Sequence, residues 1–149
     1  MRALTSAAVP SAEIRPVRTI LVLATILALL FAGAAALRAP AAIPDPDLAR
    51  LLRFMAAMKG VFALAAFAAC HWRLARPASA WRVAVYVAGP PAMAGGALAL
   101  FAFQNVALAA AGLHCGLFAV LAAALTDRDF LPDFPRRLNR PVDLDQFDF

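Results

Sequence analysis

Apolar and polar positions in this chain segregate into long blocks instead of alternating or recurring at short period. Residues 17–37, 51–70, 80–103 and 106–125 are each almost wholly apolar, and the charged residues lie mainly between and beyond them. About twenty apolar residues cross a bilayer as a helix, so the pattern predicts four transmembrane helices and an all-α integral membrane protein. No internal repeat stands out. The predicted organisation is a tail over 1–16, a four-span bundle over 17–126 and a second tail over 127–149. The basic flank and small-residue stretch around the first block resemble a signal peptide. Its length favours an uncleaved span.

The connections sharpen this outline. The segment "RAPAAIPDPDLAR" is short and proline-rich, and Asp47 is placed to cap the second helix. "HWRLARPASAWR" brings Trp72 and Trp81 beside arginines, the composition of a membrane-surface loop. Only a tight polar turn around Gln104 and Asn105 joins the third and fourth blocks, which predicts a hairpin. In the third block Pro90 and Pro91 leave the carbonyls of Tyr86 and Val87 without helical donors. We expect a packed kink there, with Gly95 and Gly96 allowing close helix contact. The competing expectation is a broken helix lining a transport site. The C-terminal tail repeats Asp-Phe at 129–130, 133–134 and 148–149 between prolines and arginines. It suits a headgroup-resting segment or an arm that docks on a partner.

Composition agrees: 64% of the residues are hydrophobic and the net charge is +5. The placement of the arginines turns that charge into a topology signal and not a nucleic-acid footprint. Arg2, Arg15 and Arg18 lie before or at the very start of the first block; Arg73, Arg76 and Arg82 lie between the second and third or at the start of the third; Arg128, Arg136, Arg137 and Arg140 follow the fourth. The first loop holds Arg38, Arg50 and Arg53 with Asp45 and Asp47. By the positive-inside rule both termini face the cytoplasm, as expected for a multi-pass inner-membrane protein contacting anionic headgroups.

Candidate chemistry is sparse. Cys70 and Cys115 lack metal-site spacing and differ in depth by roughly 10–15 Å, beyond disulfide reach. Glu13 and every aspartate fall in tails or the first loop, which argues against proton-coupled exchange. Lys59, the sole lysine, and His114 are the candidate ligand-binding residues, since ionisable groups within spans call for a functional hypothesis. Lys59, about 7–8 Å deep, can snorkel outward. His114, about 12 Å from the outer surface, is expected to face the bundle interior. With Met55, Met58, Met93 and Cys115 nearby, the pair could hold a quinone or lipid headgroup, or present soft ligands to copper(I). A shared bis-histidine haem fails, because His71 and His114 differ in depth by roughly 15 Å. No metal site is assigned and the cofactor stays unknown.

Within "GLHCG", Gly112 and Gly116 share one helical face while His114 points nearly opposite. An inward His114 turns the glycines toward another subunit; a third helix in that groove makes them internal packing. The leading expectation is a non-catalytic accessory subunit or assembly factor with a membrane-protein partner or self-association. The alternatives are a small-ligand-binding membrane protein or a small transporter.

Overall fold

The computed structural model describes residues 14–38 and 45–130, an all-α bundle of four long helices. These are α1 (Ile14–Arg38), α2 (Pro46–Arg73), α3 (Ala80–Phe101) and α4 (Val106–Thr126). Each is long and apolar enough to cross a membrane. The expectations for residues 1–13, 39–44 and 131–149 lie outside the described residues.

Local chemistry sets the helix ends. α2 starts earlier than the apolar run suggests. Asp45, not Asp47, is its cap: the Asp45 carboxylate accepts from the Asp47 amide at 3.1 Å, and Pro46 takes the first helical position. At the other end of α3, the Phe103 amide donates to the Leu100 carbonyl and the Gln104 amide to that of Ala99, at 3.1 and 2.8 Å. That is a Schellman closure, with Phe103 in the left-handed position (φ 57°) where glycine is usual. Asn105 then caps α4 by accepting from the Leu108 amide at 3.3 Å.

α3 is the hub, and each of the other helices packs on it. Its contact with α4 is closest where side chains vanish. A Cβ on Gly116 would stand 2.8 Å from the Gly89 carbonyl oxygen and 2.9 Å from Met93 Cγ, and one on Gly96 2.6 Å from the Ala109 oxygen. A Cβ on Gly89 would run into the Val120 side chain. The pairings 89 with 116 and 96 with 109 set α3 and α4 running in opposite directions. Gly112 faces the Ala92 carbonyl, and Gly95 faces Ala28 of α1. The glycines of "GLHCG" are therefore occupied by α3, and the expectation that they turn toward another subunit is corrected. Pro90 and Pro91 are buried within a helix that runs unbroken from Ala80 to Phe101.

The core is not centred. Leu21, Cys70, Leu74, Tyr86, Val120 and Ala123 cluster at the end that carries Arg73, Arg76 and Arg82, hereafter the basic end. All four helices meet there. Toward the opposite end, marked by the α3–α4 turn, α1 and α2 are separated by a groove.

Candidate functional site

The densest polar assembly is one that sequence reasoning missed. Asp127 ends α4 in extended conformation, and its side chain is fully buried. Arg73, at the end of α2 and only 1% exposed, grips it with two parallel bonds, Nε to Oδ2 at 2.8 Å and NH2 to Oδ1 at 3.1 Å. Tyr86 of α3 donates its hydroxyl to Oδ2 at 3.0 Å. Arg82 reaches Oδ1 at 3.3 Å and the Thr126 carbonyl at 2.6 Å. The Asp129 amide closes the turn onto Oδ1 at 3.2 Å. Phe130 lies against the Tyr86 ring, 5.8 Å between centroids. Asp127 is the first residue past α4, in the tail as the sequence places it, but its side chain is buried, so the inference that the chain lacks a buried carboxylate is corrected.

Such an arrangement is a closed clamp joining α2, α3 and the end of α4. The remaining Arg73 nitrogen is also used, donating to the Arg76 and Pro77 carbonyls, both at 3.3 Å. Burial pushes the Asp127 carboxyl up. Hydrogen bonds from Arg73, Tyr86 and the Asp129 amide, with the Arg73 charge, outweigh that and hold it below the usual carboxylate range. A proton carrier needs a pKa near working pH. Asp127 is tuned the other way, so its burial does not revive a proton-exchange role.

Beside the clamp, Arg18 of α1 donates to His71 Nδ1 at 3.2 Å, and His71 stacks on Phe67 with centroids 6.0 Å apart. Arginine can only donate, so His71 accepts at Nδ1. Trp72 and Trp81 lie partly exposed under Arg76 and Arg82, at 4.7 and 5.3 Å.

The residues singled out from sequence do not converge. Lys59 lines a small groove with Leu52, Met55, Leu100, Phe103 and Ala110. His114 is not among its walls. It is exposed, with Nδ1 2.7 Å from the Ala110 carbonyl of its own helix. The expectation of an inward His114 is corrected, although the backbone-carbonyl partner expected for it is there: Nδ1 bonds the carbonyl four residues back on its own helix, with no interior partner. Met93 is fully buried against α4, whereas Met55, Met58 and Cys115 are exposed. Among the described residues no three His, Cys, Asp or Glu side chains come together as a metal site.

A groove of about 410 Å³ lies between α1 and α2, floored by α3. Its walls include Thr25, Leu29, Gly60, Ala63, Phe67 and Phe101. Thr25 is its one polar side chain, and the hydroxyl already donates to the Leu21 carbonyl at 2.8 Å. No protein-family model, no curated protein and no solved structure matches the chain.

Proposed function

We propose that this chain is a four-span inner-membrane protein with both termini in the cytoplasm and spans three and four as a hairpin. Its work is that of a non-catalytic accessory subunit or assembly factor in a larger membrane complex. The orientation follows from the basic end, where Arg73, Arg76, Arg82 and Arg128 gather. That end suits the cytoplasmic leaflet.

One observation carries the functional reading: close packing is concentrated on α3, and the surfaces of α1 and α2 are left over. Leu21 is the only fully buried side chain described in α1, and few side chains of α2 are buried. Polar chemistry points the same way, because the Arg73–Asp127–Tyr86 clamp spends its bonding capacity within the chain. Small residues fill the α3–α4 seam where a conduction path would run. What remains for function is lateral association. Purification from native membranes in mild detergent tests it: a stoichiometric membrane-protein partner or a defined self-association is expected. A strictly monomeric species with no co-purifying protein overturns the proposal.

A further inference from the structure

We propose that the α1–α2 groove seats one acyl chain of an anionic phospholipid drawn from the leaflet at the α3–α4 turn, with the lipid phosphate on Arg53. Three features of the groove agree on this occupant. Along α2 it runs from Ala56 to Phe67. At 1.5 Å per residue that is about 16 Å, close to half of the ~30 Å hydrocarbon core and so the reach of one chain in one leaflet. Its volume is about 410 Å³, and no charged side chain lines it. Its walls ask for no hydrogen bond, since the Thr25 hydroxyl is spent on the Leu21 carbonyl. Hydrocarbon fits this lining; a polar ring does not.

Arg53 supplies the head. On α2 it stands one turn ahead of the groove residue Ala57, on the same face. Its guanidinium lies 5.9 Å from the ring centroid of Phe101, itself a wall of the groove, and 5.6 Å from that of Phe103. The neighbouring Arg50 is paired with Asp47 at 3.5 Å, whereas no carboxylate pairs with Arg53 among the described residues. An arginine set against two aromatic faces at the mouth of a hydrocarbon slot, with no carboxylate on it among the described residues, suits a phosphate.

This proposal rests on membrane residence, not on a protein partner, and lipid binding is scored on the purified full chain alone. A chain that holds a partner but no lipid sinks only the present inference. Native mass spectrometry after exchange into dioleoyl phosphatidylglycerol or dioleoyl phosphatidylcholine provides the readout. Wild type should retain the anionic lipid about tenfold better, and Arg53→Gln should bring the two lipids to within about twofold. Gly60→Leu should lower retention of both, because a Cβ at Gly60 meets nothing within 4 Å and the side chain enters the groove without disturbing packing. Gly33→Leu, equally unobstructed but outside the groove, should bind as wild type. Equal retention of the two lipids by wild type overturns the headgroup assignment. Unchanged binding in Gly60→Leu, equal loss in Gly33→Leu, or cross-linking of two copies through Gly60→Cys overturns the groove assignment.

Discussion

Asp127→Ala removes the carboxylate that holds α2, α3 and the end of α4 together. The loss strips Arg73 of two bonds, at 2.8 and 3.1 Å, and Tyr86 of one at 3.0 Å. Arg73 is 1% exposed, and the loss leaves its guanidinium only the Arg76 and Pro77 carbonyls and the exposed Asp129 carboxylate at 3.8 Å. Breaking a buried pair by removing one partner costs about 3–5 kcal/mol, and Asp129 places this case toward the lower end. Asp127→Asn keeps the shape but presents an NH2 group where one oxygen accepted. At least one buried donor is left unmet, for about 1–3 kcal/mol. Removing both charges in Arg73→Met/Asp127→Leu should cost much less than the sum of the single changes, because the penalty lies in the orphaned partner. Unfolding by SDS in dodecyl maltoside micelles, followed by the fluorescence of Trp72 and Trp81, measures Asp127→Ala, Asp127→Asn and the four corners of the cycle: wild type, Arg73→Met, Asp127→Leu and the double variant. Trp81 lies under Arg82, which also binds Asp127, so the reporter sits on the clamp. A destabilisation below about 1 kcal/mol for Asp127→Ala, or a double-mutant cycle additive within about 0.5 kcal/mol, refutes the clamp as described.

Two further outcomes follow from the same geometry. Because the folded-state pKa of Asp127 is depressed, its stabilisation is fully present above its unfolded value of about 3.9 and is lost as pH falls through the lower folded value. Unfolding titrations from pH 6 down to about 3 should show a loss in wild type that Arg73→Met/Asp127→Leu lacks. Gly96→Ala drives a Cβ to 2.6 Å from the Ala109 oxygen and 3.0 Å from the Leu113 nitrogen, backbone atoms that cannot swing aside. It should cost about 1–3 kcal/mol in the same assay, whereas Gly33→Ala should be neutral or stabilising by up to about 1 kcal/mol.

Helix existence was legible from the apolar blocks, since length and composition decide it, and the observed ends differ by a few residues. α2 gained a turn at its start because Pro46 and Asp45 can begin a helix that hydropathy alone places later. Orientation about each helix axis was not legible. Depth alone points His114 inward, yet the Ala110 carbonyl on the same helix gives its Nδ1 a partner. The glycine pair of α4 fits a neighbour of the same chain or of another. Gly89 and Gly96 of α3 decide between them, and reading that match requires knowing which faces meet. Asp127 was hidden by its position one residue past a span, where an aspartate is ordinarily solvated. Signals did exist: Tyr86, the sole tyrosine, lies within an apolar block, and Arg73 and Arg82 flank the same surface.

The Arg73–Asp127 pairing also orders the chain in time. The two residues lie 54 positions apart, and synthesis proceeds at ~5–20 residues per second, so Arg73 is made roughly 3–11 s before its counter-ion. Throughout that interval Arg73, at the end of the second helix, has the nearby Arg76 and Pro77 carbonyls but not its carboxylate, and the membrane surface supplies the rest of its solvation. Emergence of the fourth helix delivers the anion, and only then can the cation withdraw from water. A nascent chain stalled short of Asp127 is therefore a species with an open latch, its Arg73 still without the carboxylate that secures the finished protein.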